Sequence, residues 1–254
     1  MSGSVAGQPG VPGVERSEAP DARGREVAAP FIMPDEHTAY LYLVRHGATE
    51  ANLHQPPWLQ GCRIDLPLCE VGRQQAEAVA RLLAGAGVSR VVSSPLRRAT
   101  QTAEMIAASH GLAIETVPAL AECDVGRWEG LDWETIARQE PEAYRQFHAD
   151  PAEYDYGGGE NLADVHRRAA PALDALLAQS AGQVVMAVSH QVVNRTYLAS
   201  LLGLPLRQAR SIRQDNGGVN LLRRRAGKVE LITLNAVFHL LPRDRAGQAA
   251  PGGP

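Results

Sequence analysis

The sequence predicts an α/β fold built on a mostly parallel central sheet. Three observations carry that prediction. The chain contains short apolar, β-rich runs at 40–44, 88–93 and 183–188. Helical spacing follows the second and third runs, and each run stops on residues that carry chemistry.

The first run, Tyr40-Leu41-Tyr42-Leu43-Val44, ends on Arg45-His46-Gly47. In open α/β sheets the crevice beyond the carboxyl ends of the strands is where ligands bind. This strand would deliver a fixed cation, a titratable nucleophile and a bend free of a side chain to that place. A strand end whose polar residues merely face water would read the same way, so the pair alone decides nothing. A helix follows over Glu70–Leu83, with Cys69 in the capping position, where its thiol is a poor substitute for a hydroxyl.

The second strand, Val88 to Ser94, passes into Ser94-Pro95, which reads as an N-cap followed by proline in the first helical position. Leu96, Ala99, Ala103, Ile106 and Ala107 recur at helical spacing and would face the sheet. Arg97 and Arg98 then fall in the first turn, where cations oppose the helix dipole and need another reason to be present. A phosphate would be one, because an arginine fork matches phosphate oxygens bidentately. Whichever arginine points away from the sheet is solvated.

Farther along, Trp133, Ile136, Ala137, Tyr144 and Phe147 suggest helices interrupted at Pro141, then a flexible run Tyr156-Gly157-Gly158-Gly159. A helix begins near Asn161 with Leu162, Val165, Ala169, Leu173, Leu176 and Leu177 on one face, and Pro171 bends it. The third strand, Gln183 to Val188, leads through Ser189-His190 into the helical pattern Val192, Val193, Tyr197, Leu198, Leu201, Leu202. His190 therefore stands at a helix amino end, which favours an anion. Ser189 as a cap and His190 as a solvated first-turn residue is the competing reading.

Composition bounds the function without naming it. The 254 residues suffice for one α/β domain, and the net charge of −3 leaves no basic footprint for nucleic acid. No run approaches the ~20 apolar residues of a membrane span. Cys62, Cys69 and Cys123 are an odd number without ligand spacing, which suits a reducing compartment and points to a cytoplasmic location. His37, His54, His110, His148, His166 and His239 are scattered and read as surface or packing residues, His54 excepted. No metal or cofactor is expected. Residues 1–37 are rich in Gly, Pro, Ala and charge and are expected to be disordered, without the apolar region of a secretory signal. Met33 is a second candidate start. A domain over 38–241 and a flexible tail over 242–254 complete the expected organisation.

The motifs together resemble the histidine phosphatase superfamily. Its Arg-His-Gly-x-Thr-x-x-Asn opening is matched by Arg45 through Asn52, and its Gly-x-x-Asp-x-Pro-Leu element, with one more residue between glycine and aspartate, by Gly61, Asp65, Pro67, Leu68 and then Gly72. Ser94, Leu96, Arg98, Ala99, Thr102 and Ala103 match the next element, which singles out Arg98 over Arg97. Leu120-Ala121-Glu122, Gly126 to Gly130, Gly158-Gly159-Glu160 and Ser189-His190 follow in order. The resemblance spans about Tyr40 to Leu234 and implies a three-layer α/β/α sandwich of the phosphoglycerate-mutase-like kind.

It further implies a metal-independent phosphomonoester hydrolase acting through a phosphohistidine. His46 would attack phosphorus, and Arg45, Arg98 and His190 would hold the phosphoryl oxygens. Glu122 would protonate the leaving oxygen and then activate water, with Glu129 as the rival acid. Asn52, Gln60, Gly61 and Gln191 fall where phosphate or its substituent is contacted. Residues 127–160 would form a lid over the site, with Tyr144, Phe147, Tyr154 and Tyr156 as possible lining.

Within the superfamily the chain resembles the compact phosphatase branch, which includes alpha-ribazole phosphatase and broad-specificity phosphatases. The expected substrate is a small-molecule phosphomonoester such as alpha-ribazole phosphate or a sugar or glycerate phosphate. The alternatives are a cofactor-dependent phosphoglycerate mutase and a catalytically silent phospho-ligand binding module. Asp124 follows Glu122 where mutases carry basic residues, and an acid there is a poor partner for a doubly anionic substrate. Ala48 replaces the usual Glu after Arg-His-Gly, and Gln191 the usual glycine after the second histidine. A homodimer is the one protein assembly considered.

Overall fold

The computed structural model describes residues 34–241. The expectations for the amino-terminal extension, apart from 34–37, and for the 242–254 tail lie outside the described residues, as does Met33. Residues 35–38 form a turn, closed by the Thr38 amide donating to the Asp35 carbonyl at 3.0 Å.

The sheet has six strands: β1 (Thr38–Arg45), β2 (Val88–Ser93), β3 (Ile114–Thr116), β4 (Val184–Ser189), β5 (Val219–Arg225) and β6 (Lys228–Ala236), in the spatial order β3-β2-β4-β1-β5-β6. The first four are mutually parallel, whereas β5 and β6 run antiparallel as a hairpin against β1. The mostly parallel sheet is as expected, and the hairpin is an addition that the sequence reading did not identify.

Strand β4 is buried along its whole length, as a central parallel strand covered on both faces must be. Its side chains alternate between two cores. Val185 and Ala187 join Leu41, Leu43, Leu162, Val165, Leu173 and Tyr197 on one side. Val184, Met186 and Val188 join Val79, Leu83, Ala99, Ala103 and Ile106 on the other. The helices divide accordingly into two outer layers. α2 (Glu70–Leu83) and α3 (Arg97–Ala108) cover the second face, and α6 (Leu162–Ala178) with α7 (Gln191–Leu201) covers the first. Each such aliphatic side chain contributes roughly 1.5–3 kcal/mol when fully buried. Between β1 and α2 lies the single turn α1 (Glu50–Leu53). Between β3 and α6 lie α4 (Trp133–Gln139) and α5 (Pro141–Ala149).

Local rules explain most boundaries. α6 starts at Asn161, whose side chain accepts from the Asp164 amide at 2.8 Å while the Asp164 carboxylate returns the bond, a reciprocal cap. Pro141 opens α5 at a position where its missing N–H costs nothing. Cys69 gives α2 no side-chain cap, as expected. Two elements differ from expectation. α3 begins at Arg97, two residues beyond the Ser94-Pro95 start, with Leu96 in the capping position. The glycine run after Tyr156 is held rather than loose: a Cβ on Gly159 would meet the Asp124 carbonyl oxygen at 2.1 Å, and the Gly157 carbonyl accepts from the Arg127 amide at 3.1 Å.

Candidate active site

Sheet order builds the site. β4 lies between β1 and β2, with Arg45 opposite Ser189 and Ser93 opposite Val188. The residues leaving these three strands, His46, Ser94 and His190, are therefore neighbours although far apart in sequence. Gly47 is required by closeness: a Cβ there would meet the Gly72 carbonyl oxygen at 2.2 Å. The bend after His46 thus lets β1 turn directly beneath α2.

His46 and His190 have ring centroids 5.0 Å apart. His46 Nδ1 lies 2.6 Å from the Gly47 carbonyl oxygen. An oxygen acceptor at that distance requires the proton on Nδ1, which leaves the Nε2 lone pair free. Burial, with Arg98 and Arg45 beside it, holds the ring well below the usual histidine range. It is a neutral imidazole, as a nucleophile must be. His190 is held down in the same way, by burial first and then by Arg98, His46 and Arg45.

The two arginines are anchored by carbonyls. Arg45 Nη1 donates to the Gln214 carbonyl at 2.7 Å, and Arg98 Nη2 to the Gly61 carbonyl at 2.8 Å. Burial pulls Arg45 down to about 10, so it stays charged near neutral pH, and it lowers Arg98 in the same direction. The Nε atoms of both are buried without a partner, as is His190 Nδ1. Buried donors without acceptors are costly, and together they describe a place made for an anion. Arg98 is 1% exposed, whereas Arg97 lies on the surface with its amide donating to Asp65. The structure thus puts Arg98 inward and Arg97 outward.

Glu122 accepts from the Cys123 amide at 2.9 Å and from the Val192 amide at 3.3 Å. Glu129 is committed to scaffolding: one carboxylate oxygen accepts from the amides of Gly61 and Ile64 at 2.8 and 2.9 Å.

A cavity of about 130 Å³ opens here, lined by Arg45, His46, Asn52, Gln60, Glu122 and Gln191 among others. Arg98 and His190 are buried against His46 rather than in the lining. Gly61 also lies outside it, and its amide and carbonyl are spent on Glu129 and Arg98, so it supports Arg98 instead of meeting substrate. Of the expected aromatic lining only Tyr156 reaches the cavity, beside Trp58 and Trp133. Phe147 is buried in the core beneath, and Tyr154 is exposed. Asp124 does not face the cavity. It pairs with Arg63 at 2.8 Å, which holds its carboxyl below the usual range.

Sequence reasoning missed several contributors. Ser94 Oγ lies 2.7 Å from His190 Nε2. The segment before β5 supplies the Gln214 carbonyl for Arg45, while Asn216 Nδ2 donates to the His46 carbonyl and to Asn52 Oδ1, both at 3.1 Å. Arg195 and Arg210 also line the cavity. A signal existed for Arg195, since positions 191, 192 and 195 share one face at the start of α7. Among the described residues no group of three or more His, Cys, Asp or Glu is placed to hold a metal, and no helix is long and apolar enough to cross a membrane.

Comparison with known proteins identifies the family. The model of the histidine phosphatase superfamily (branch 1) matches residues 41–237. Phosphoserine phosphatase 1 of Hydrogenobacter thermophilus is 31% identical over 200 residues, covering 79% of this chain and 93% of that protein. The Yersinia pestis protein named probable phosphoglycerate mutase GpmB is 35% identical over 176 residues, covering 69% and 80%. A solved mycobacterial glucosyl-3-phosphoglycerate phosphatase superposes with a TM-score of 0.69 at 29% identity, covering 79% of this chain and all of its own at 100%.

Proposed function

The chain belongs to the histidine phosphatase superfamily, and from that premise we propose that His46 is the nucleophile of a small-molecule phosphomonoester hydrolase. The observation that carries this reading is the state of His46. It is a neutral ring with Nδ1 committed to the Gly47 carbonyl and Nε2 free at the cavity, beside two buried arginines whose Nε donors have no protein acceptor.

The chemistry runs in two displacements. His46 Nε2 attacks phosphorus, an N–P bond forms, and the P–O bond to the leaving alcohol breaks. Arg45, Arg98 and His190 hold the three peripheral oxygens and meet the charge that develops on them. Glu122 delivers a proton to the leaving oxygen and, as carboxylate, takes one from the water that attacks the phosphohistidine. Inorganic phosphate leaves and His46 is restored. The arginines supply the positive charge, so the reaction needs no metal. Asn52, Gln60 and Gln191 contact the substrate from the cavity wall. Relatives named for phosphoserine and for glucosyl-3-phosphoglycerate are phosphatases, which supports hydrolysis over phosphoryl transfer between substrate positions.

The test is trapping. The enzyme in excess chelator is mixed with a radiolabelled phosphomonoester and quenched within one turnover. An adduct that is acid-labile and alkali-stable is expected, and none in His46→Ala. Label that survives in His46→Ala, or an acid-stable adduct, rejects His46 as the attacking group. Interconversion of 2- and 3-phosphoglycerate faster than phosphate release would instead assign the chain to the mutases.

A further inference from the structure

The proposed mechanism leaves two cations of the cavity unused. Arg195, on α7, and Arg210, on the short 3-10 helix Leu206–Ser211 that follows it, line the same cavity as Glu122 and Gln191. Both are aimed by the protein. Arg195 Nε donates to the Ile212 carbonyl at 2.7 Å, which fixes the plane of its guanidinium. The Arg210 guanidinium carbon lies 5.2 Å from the ring centroid of Trp133 and 5.4 Å from that of Phe147.

Neither arginine forms an ion pair with a carboxylate among the described residues. Their neighbour Arg168 shows what a structurally satisfied arginine looks like here. It meets Glu160 at 2.7 Å and donates to the carbonyls of Ala119 and Ala121, each at 2.8 Å. Two half-buried guanidiniums lining one cavity repel each other and lose hydration, a cost that an anion between them relieves. Glu122 is the one carboxylate in the lining, and it already accepts from two backbone amides. In the proposed mechanism Arg45, Arg98 and His190 already meet the phosphoryl oxygens, which leaves these two guanidiniums for another part of the substrate.

A flat aromatic leaving group would be the other occupant to consider, given Trp133 and Tyr156. Both rings are packed against Phe147, and Trp58, the third aromatic of the lining, is packed against His54. Trp133 stacks on Phe147 at 5.6 Å and 19°, with Arg210 over it, and Tyr156 lies 4.2 Å from Phe147. What the wall offers a leaving group is charge. We infer that Arg195 and Arg210 form a second anion subsite, and that the substrate is a phosphomonoester whose leaving alcohol carries a carboxylate. A planar carboxylate matches the guanidinium fork bidentately. Arg195 and Arg210 act here as specificity-determining residues. This rests on the reading of the cavity as a phosphomonoesterase site. It also reverses the expectation drawn from Asp124, which is neutralised by Arg63 outside the cavity.

The test compares 3-phosphoglycerate with glycerol 3-phosphate, which carries a hydroxymethyl group where the former has its carboxylate. The full chain should hydrolyse 3-phosphoglycerate with a kcat/KM at least tenfold higher. Arg210→Gln and Arg195→Gln should each cut that ratio fivefold or more, and Arg210→Lys should keep most of it. A ratio near one in the unaltered enzyme, or a ratio unmoved by both glutamine variants, overturns the subsite while leaving the phosphatase reading intact. Binding of both compounds to His46→Ala, followed by calorimetry, separates the two claims from the other side. If no phosphomonoester is hydrolysed by the unaltered chain, the proposed function fails, and tighter binding of 3-phosphoglycerate than of glycerol 3-phosphate would still support the subsite. Equal binding would overturn that too.

Discussion

Removing one hydroxyl behind the histidine pair should cost the enzyme more than its size suggests. Ser94 and His190 are both fully buried, and Ser94 Oγ lies 2.7 Å from His190 Nε2. The Leu96 amide donates to the same oxygen at 3.3 Å, so the hydroxyl proton is free to point at the ring. With Nε2 as acceptor, the imidazole proton sits on Nδ1, the atom that lacks a protein partner. In the proposed mechanism this N–H is the donor to a phosphoryl oxygen. Ser94→Ala leaves Nε2 buried and unpaired, a penalty of about 1–3 kcal/mol. With the Ser94 proton gone nothing holds Nε2 as the acceptor, so the ring is free to exchange tautomers or to rotate, and either change removes the donor from the phosphoryl group. At about 1.4 kcal/mol per decade, kcat/KM should fall roughly 5- to 150-fold. Phosphate release from p-nitrophenyl phosphate reads the loss. The 15N shifts of the His190 ring should report Nδ1–H in the unaltered protein and a changed tautomer population in the variant, which mere loosening of the fold would not produce. A kcat/KM within twofold of the unaltered enzyme, with the same ring shifts, would show that Ser94 does not set His190.

Two further outcomes follow from the same geometry. Glu122→Gln keeps the shape of the side chain and one of its two backbone contacts but loses the proton donor and water-activating base, so turnover of alkyl phosphates should drop by orders of magnitude and that of p-nitrophenyl phosphate much less, because nitrophenolate leaves with little protonation. Equal losses on the two substrates would remove Glu122 from the proton-transfer role. His46 and His190 are buried as neutral rings whose pKa lies well below the ordinary value near 6.5, so below pH 6.5 the unfolded chain binds protons that the fold refuses. Stability should therefore fall as the pH drops from 6.5 towards the folded-state values, by up to about 1.4 kcal/mol per unit for each ring. His110, His148, His166 and His239 act in the same direction, burial being the first cause for each. A thermal midpoint unchanged between pH 7 and pH 5 would contradict this.

What the sequence made legible was the chemistry that strand ends and helix starts encode locally. Arg45-His46-Gly47 and Ser189-His190 stand out because a short apolar run stopping on cations and histidines is unusual in itself, and parallel pairing then sets Arg45 against Ser189. The α2 span, the Asn161 cap and the Pro141 break were readable for the same reason, since each depends on a few consecutive residues. The periodicity of α3 narrowed the choice between Arg97 and Arg98 only by showing that one must face inward. It took the motif to choose Arg98, and the packed structure agrees. Ser94 shows where a local rule loses. A serine before proline is a good cap, but the buried imidazole 96 positions away offers the hydroxyl a partner that no window of consecutive residues contains.

The residues that escaped the sequence reading share a physical origin. Gln214 and Asn216 serve Arg45 and His46 through contacts across about 170 residues, from a segment whose Asn216-Gly217-Gly218 run signals a turn but not which residues that turn meets. Arg195 and Arg210 acquire their meaning only when α7 and the segment after it fold against Trp133, which belongs to a different part of the chain. The active site is thus divided between two kinds of structure. In the proposed mechanism phosphate is gripped from the ends of β1 and β4 and the start of α3, where a small displacement would disturb the packed cores. The leaving group meets side chains from helices and connecting segments packed on that sheet, where substitutions can change charge without disturbing β1 or β4. That division explains why motifs reveal the reaction readily while the leaving group has to be read from the cavity wall. It also makes Arg195 and Arg210 the positions at which a change of substrate would be expected to leave the phosphoryl chemistry in place.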